Sequence, residues 1–289
     1  MTQQESINSV GIIGCGWLGT ALARSLIEQQ VNVLATRSTH ENVEQLKEQN
    51  IPSQVLLLPE NIELLKDHPV FKQQCLVIAI TPQFRHGRMD YAEKVTLLVK
   101  ASKQQKQVQR IILLSSSAVY NGLSGTVNEE CALDFSAEKV QILHDAEKAV
   151  LDFACESESE SKSKNKNRKS YVLRLAGLVG PNRHPGKFLL NGRMLTTPKA
   201  AVNLIHQQDA QGLIFSLLST ATPTGIFNGV SQTHVNKQTY YQAAAKALSL
   251  PEPQFNHDDD ATPLRIVCGD KAKHTLSYQF VYPDLLTWL

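Results

Sequence analysis

The sequence predicts an α/β fold, a doubly wound parallel sheet with helices on its faces. Three observations carry this prediction. Short apolar runs alternate with helical patterns through the first half, a glycine-rich turn joins the first run to the first helix, and no internal repeat interrupts that order. Strands alternating with helices of roughly 10–15 residues imply right-handed crossovers and parallel pairing.

The elements follow in order. Val10 to Ile13 is a compact apolar run ended by Gly14, and Leu18, Ala21, Leu22 and Leu26 then recur at helical spacing. A second β-rich run, Val31 to Ala35, leads into Thr36, Arg37 and Ser38. Val55 to Leu58, Leu76 to Ile80 and Ile111 to Leu114 are the next strand candidates, with a helix bearing Tyr91, Val95 and Leu98 before the last. Beyond Asp134, a helical stripe carries Val140, Leu143, Ala146, Val150 and Phe153. Strand character returns at Tyr171 to Leu175 and again at Ala201 to Ile205. A helix from Asp209 to Leu218, a strand at Ile226 and Phe227, and a helix from about Asn236 to Leu248 complete the pattern.

Composition narrows the class. The chain has 289 residues, 42% hydrophobic and 19% charged, which excludes wholesale disorder and collagen-like repetition. No apolar run approaches the ~20 residues needed to span a bilayer. The polar stretch Met1 to Asn8 lacks the profile of a secretion signal, so a cytoplasmic protein without a membrane partner is expected. The net charge of +2 gives no basic field for nucleic acid. It resides wholly in Glu156 to Lys169, which holds three acidic and five basic residues and nothing apolar. Residues 156–170 are therefore read as a surface insertion. Its basic half could meet a polyanion, against which stands a plainly solvated loop. The five cysteines are far apart, and the histidines show no metal spacing. Asp258, Asp259 and Asp260 read as an acidic loop, so no metal is expected.

Gly14-Cys15-Gly16-Trp17-Leu18-Gly19 follows the first strand and opens the first helix. The first glycine permits the tight turn, the second admits a pyrophosphate to the backbone, and the third lets helix and strand pack closely. The helix N-terminus adds N–H groups and partial positive charge. A lone glycine motif is a weak signal, but strand, loop, helix and second strand fall here within roughly 30 residues. The alternative is a structural turn.

The end of the second strand discriminates between dinucleotides. A carboxylate there accepts from the NAD ribose 2′-OH, whereas Thr36-Arg37-Ser38 offers hydroxyls and a guanidinium suited to a 2′-phosphate. The residues thus favour NADP(H) over NAD(H), unless Arg37 is only a surface arginine. Thr81, after the fourth strand, is a further expected cofactor contact.

Several segments together resemble the extended branch of the short-chain dehydrogenase/reductase superfamily, the NAD(P)-dependent sugar-nucleotide epimerase/dehydratase family, in an atypical form. They are the glycine motif, Ile111 to Tyr120 with its serines, Arg174 to Pro181, and Val202 to His206 followed by Asp209 and Asn228. The resemblance covers nearly the whole chain except the 156–170 insertion. It implies a Rossmann-type sheet with a small C-terminal substrate lobe. The implied division is a dinucleotide-binding domain at 1–180, to which 201–232 returns, and a mainly substrate-binding lobe at 181–289. It also implies a small-molecule substrate and a homodimer through the helices around Tyr91 and Val140.

The family's proton chemistry uses a tyrosine with a lysine four residues later, on one helix face. None of the seven tyrosines has a lysine at that position. Where the pair is expected, the chain offers Lys139 and Leu143. By resemblance, Ser116 is the position that hydrogen-bonds a reacting hydroxyl; turn capping is the competing role. Tyr120 is either a ligand contact and displaced acid/base or a packed aromatic, and Lys139 is a further proton-carrier candidate. Arg85, beside His86 and Arg88, is a substrate contact or part of a solvated loop. Arg183 and Lys187 sit where the resemblance places the substrate lid and would clamp phosphate. His206 and Asp209 form either an acid/base pair or a helix cap at Asp209.

Two functions are carried forward. One is an oxidoreductase or epimerase acting on a sugar-nucleotide-like or other anionic small molecule. The other is a non-catalytic sensor of NADP(H), motivated by the absent tyrosine–lysine pair. A scaffold that binds nothing would leave the glycine loop and Arg37 without purpose.

Overall fold

The computed structural model describes residues 7–155, 168–189, 194–256 and 264–289. Residues 156–167 of the insertion and Asp258 to Asp260 lie outside them. In chain order the elements are β1 (Ser9–Ile13), α1 (Trp17–Glu28), β2 (Asn32–Arg37), α2 (His40–Lys47), β3 (Ser53–Val55), α3 (Ile62–Leu65), β4 (Cys75–Ile78) and α4 (Tyr91–Lys103). There follow β5 (Arg110–Ser116), β6 (Gly125–Val127), α5 (Glu138–Leu151), β7 (Lys169–Leu175), β8 (Gly177–Val179), β9 (Leu195–Thr196) and β10 (Leu204–His206). The rest are α6 (Gln207–Ser219), β11 (Gly225–Gly229), α7 (Lys237–Ala247), β12 (Phe255–Asn256), β13 (Arg265–Val267) and α8 (Asp270–Thr275).

The sheet is seven-stranded and parallel, in the order β11-β7-β5-β4-β1-β2-β3. Its register pairs Val10 with Val33 and Cys75, and Cys75 with Arg110. The central strands are apolar on both faces, as a sheet covered on both sides requires: Ile12, Ile13, Leu76, Val77, Ile111 and Ile112 are all fully buried. The doubly wound Rossmann-type prediction therefore holds. No helix among the described residues is long and apolar enough to cross a membrane.

The first compact unit comprises Met1–Ser115, Glu138–Leu173 and Ile214–Ile226. Within it, α1 buries Leu18, Leu22, Ala23 and Leu26, while Ala21 is only half-buried. Helices α4 and α5 bury the expected stripes through Tyr91, Val95 and Leu98, and through Val140, Leu143, Ala146 and Val150. Phe153 is buried too, but beyond the last turn of α5. The buried Arg110 guanidinium donates to Leu217 O at 2.7 Å, to Leu218 O, and to Thr220 O at 3.2 Å. Carbonyls left over at the end of α6 thus find a cation, which the helix dipole favours.

Several predicted bounds shift. The third strand ends at Val55, not Leu58, because its partner β2 stops at Arg37 and Leu57 is exposed. Ala201 forms only an isolated bridge with Asn236, so strand pairing in that run is confined to Leu204–His206. Helix α6 begins at Gln207, which places Asp209 inside its first turn rather than at its cap.

The second unit comprises Ser116–Ala137, Arg174–Leu213 and Phe227–Leu289. It differs from the expected lobe at 181–289 because short parallel ladders recruit earlier segments. β6 pairs with β13 and β8 with β10, drawing 125–127 and 177–179 into this unit. The segment of this region returning to the first unit is accordingly 214–226 rather than 201–232. One apolar cluster joins Val179, Val202, Tyr240 and Leu285.

Candidate functional site

In the first unit, the loop between β1 and α1 has the three distinct glycine environments the motif demands. Gly14 has φ +86°, and a Cβ there would lie 2.8 Å from Ile80 N. Only glycine fits both conditions. Gly19 is the packing glycine, with a hypothetical Cβ 3.3 Å from Ile12 Cγ2. At Gly16 the protein itself leaves space, the nearest neighbours of a Cβ being Arg37 Nη1 at 3.7 Å and Gly14 O at 3.9 Å. Gly16 also precedes α1, whose N-terminus carries no side-chain cap and no acidic residue in its first turn. That is the arrangement an anion needs.

The second strand braces this loop. Cys15 N donates to Thr36 O at 2.9 Å, and Gly14 N donates to Thr36 Oγ1 at 3.3 Å. Thr36 is buried, so its side chain holds the loop from behind. Arg37 is half-buried, and its Nε is buried without a partner among the described residues. Ser38 and Thr81 are exposed, Trp17 is half-buried and Leu18 is buried. Burial pushes the Cys15 thiol up, offset by its contact with Thr20 and by the Arg37 charge.

Lys139 stands in the first turn of α5, exposed, with Nζ 5.9 Å from the centre of the Phe84 ring. Leu143, one turn on, is buried. Also on α5, the buried Glu147 accepts from Ser115 Oγ at 2.6 Å. Arg85 is exposed on the short turn Phe84–His86.

In the second unit, Ser116 Oγ accepts from Ala118 N at 3.1 Å and so caps the turn Ser117–Tyr120. Tyr120 is fully buried. Its hydroxyl donates to Asn228 Oδ1 at 2.9 Å and accepts from Arg174 Nη1 at 2.9 Å. The Arg174 guanidinium also lies 5.0 Å from the Tyr120 ring centre. Burial raises the Tyr120 phenol above its ordinary value, with Arg174 offsetting part of the rise. Asn228 completes the network by donating its N–H to Glu129 Oε1 at 2.6 Å and its Nδ2 to Cys268 O at 2.9 Å.

A pocket of about 440 Å³ opens in this unit, lined by Ser117, Thr197, Asn203, Lys237, Tyr241 and Arg265 among others. Among the described residues two cations and no carboxylate line it, so it suits an anion. Lys237 Nζ donates to Thr197 Oγ1 at 2.6 Å. Thr197 is a buried β-branched residue at φ +54°, a backbone state that costs about 1–3 kcal/mol and gathers at ligand sites. Arg265 donates to Tyr120 O and, at 3.2 Å, to Asn121 Oδ1, while its Nε is buried without a partner among the described residues. Asn203 fixes the strand bearing Arg265: its Nδ2 donates to Arg265 O at 3.0 Å and its Oδ1 accepts from Val267 N at 2.8 Å.

None of these lining cations was singled out by sequence. Lys237 and Tyr241 stand four apart, a spacing that places both on one face of α7 and was the available signal. Arg183 and Lys187 are exposed and do not line this pocket. Asp209 is not a helix cap. It accepts from Tyr278 OH at 2.9 Å, Val281 N at 2.7 Å and Tyr282 N at 3.0 Å. Among the described residues no cluster suits a metal ion.

No family model matches the chain. Protein YeeZ of Escherichia coli K12 is 30% identical over 283 residues, covering 97% of this chain and 98% of that protein. A functionally unknown conserved protein from Silicibacter pomeroyi shares the fold with TM-score 0.78 and 20% identity, over 97% and 96% of the two chains. MoeE5, solved in complex with UDP-glucose and NAD, gives 0.73 at 17% identity over 94% and 93%. UDP-glucose 4-epimerase from Thermotoga maritima, solved with UDP-glucose, gives 0.74 at 13% over 94% of each chain. The chain belongs to the family of Escherichia coli protein YeeZ, and its fold is that of the extended short-chain dehydrogenase/reductases.

Proposed function

We propose that the protein binds a nicotinamide dinucleotide, NADP(H) ahead of NAD(H), and acts as an oxidoreductase or epimerase on an anionic small molecule of the sugar-nucleotide kind. The observation that carries the cofactor reading is Arg37. Its guanidinium stands beside the open position at Gly16, with a buried Nε lacking a partner among the described residues. A dianionic 2′-phosphate supplies the acceptors this fork needs, whereas a ribose hydroxyl does not neutralise it. Gly14, Gly16 and Gly19 with the start of α1 would hold the pyrophosphate. Bound there, the dinucleotide would supply a hydride acceptor or donor. On the substrate side, Arg265 and Lys237 would hold the anionic group of the ligand. The neighbours solved with UDP-sugars make a nucleotide-linked sugar the first class to try.

Titration with NADPH and NADH tests the cofactor reading. NADPH is expected to bind about tenfold or more tightly, as befits charge-assisted hydrogen bonds, and Arg37→Ala to remove most of that preference. Equal affinities unaffected by Arg37→Ala would overturn it. Mass spectrometry of nucleotide retained on purification provides an independent readout.

A second reading, a non-catalytic NADP(H) sensor, is favoured by one observation. Helix α5 presents an exposed Lys139 and a buried Leu143 where the tyrosine and lysine are expected. Turnover on a sugar-nucleotide panel that Ser116→Ala abolishes would remove the sensor reading. Tight NADPH binding without turnover on that panel favours it.

A further inference from the structure

Segment 278–289 is fastened to its own unit at three points. The first is Asp209, fully buried, which accepts from Tyr278 OH, Val281 N and Tyr282 N. Tyr278 lies so close over Gly212 that a Cβ there would collide with its ring and hydroxyl. The second is His206, 4% exposed, whose ring centre lies 4.0 Å from that of Tyr282 and 5.0 Å from that of Trp288. The third lies between them: Leu285 N donates to Thr233 Oγ1 at 2.7 Å, and the Leu285 side chain is buried with Val179, Val202 and Tyr240. Leu204 and Tyr241 pack against the same cluster, and with Val202 they line the anionic-ligand pocket. The segment therefore backs the pocket wall.

His206 has hydrogen bonds for only one protonation state. Its Nδ1 accepts from Gln208 N at 3.2 Å, which puts the proton of the neutral ring on Nε2. Nε2 is buried without a partner among the described residues. A second proton would turn Nδ1 into a donor facing the Gln208 N–H. The charged ring would then hold two buried N–H groups, while both oxygens of Asp209 already accept bonds from the segment. The titratable groups that face His206 are Asp209 from α6, Tyr282 from the segment and, across Trp288, His184 with Lys187 beyond it. Burial holds His206 below the ordinary histidine value, and the Asp209 charge offsets only part of that. His184 is lowered as well, by burial and then by Lys187, so it acts in the same direction.

We propose that segment 278–289 is a pH-sensitive strap, seated while His206 is neutral and released when His206 takes up a proton, and that its release loosens the pocket wall at Val202–Leu204. This goes beyond the functional reading above and does not depend on the ligand.

The test uses the full chain with Trp17→Phe, leaving Trp288 as the sole tryptophan, and His184→Gln, leaving His206 as the histidine stacked on it among the described residues. Emission, iodide quenching and amide exchange are followed from about pH 7.5 to about pH 4.5, spanning the ordinary histidine range. A red shift, roughly twofold stronger quenching and faster intrinsic-rate-corrected exchange at Val202–Leu204 are expected at one midpoint, with far-UV circular dichroism unchanged. His206→Gln should hold all three flat, and His206→Phe, which keeps the aromatic stack, serves if that variant does not fold. The proposal fails if Trp288 stays shielded throughout, if it titrates alike in the His206 variants, or if exchange at the wall does not follow. None of these readouts involves a ligand, so an error in the pocket's assignment would leave them unchanged.

Discussion

Arg37 Nη1 lies 3.7 Å from the point where a Cβ on Gly16 would stand, while the same construction on Gly14 collides with Ile80 at 2.8 Å. Gly14 is demanded by the protein's own backbone, whereas at Gly16 the protein leaves open the space beneath Arg37 where the proposed dinucleotide would lie. Gly14→Ala should therefore destabilise by about 2 kcal/mol or more, from left-handed strain and overlap. Gly16→Ala should change stability by less than about 0.5 kcal/mol yet weaken dinucleotide binding by about tenfold or more. Urea unfolding beside nucleotide titration separates the two.

Tyr120→Phe removes a buried hydroxyl that serves Asn228 and Arg174 together. The ring still fills its site and still faces Arg174. A loss of about 1–3 kcal/mol in urea unfolding is expected, the cost of removing one hydrogen bond from each of two buried polar groups.

Glu129 carries a pH signature. Burial raises its carboxyl above the ordinary value, with the backbone N–H groups and then Lys271 and Arg174 offsetting part of the rise. With the folded value above the unfolded one, the folded state holds the proton more tightly. Stability from this group is thus fully present below about pH 4.5 and is lost as pH rises through the folded value. Glu129→Gln should flatten that portion of the stability-versus-pH curve. Thermal unfolding of both proteins between about pH 4 and pH 7 provides the comparison.

Arg110→Met keeps the aliphatic stem but strips the guanidinium from three carbonyls at the end of α6. About 2–3 kcal/mol should be lost, since hydrogen bonds to a charged donor are involved. Amide exchange should rise first in the last turn of α6.

The glycine loop was legible because its requirements are local. Turn, close approach and helix start fall within a few residues, and glycine meets each for a separate steric reason. The parallel sheet was legible for a similar reason: each central strand is a continuous apolar run. Asp209 shows where local reasoning stopped. Its position before an apolar run reads as a cap, yet its partners lie 69 to 73 residues further along the chain. The same holds for Arg265 and Lys237, which share a pocket with Ser117 only through distant segments.

By itself, then, the sequence determined the α/β class, the glycine loop between β1 and α1, the absence of a Tyr-x-x-x-Lys pair and the cationic end of the second strand. All are properties of contiguous residues, where spacing alone sets the geometry. Only the tertiary structure decided that Thr36 braces the loop, that Tyr120 is a buried anchor held by Arg174 and Asn228, and that two unremarked cations line a pocket. Thr36 reaches the loop only because β2 pairs with β1, and Arg265 reaches its pocket only through the short ladder of β13 with β6, a pairing settled by packing across more than a hundred residues that leaves no periodic trace in the chain.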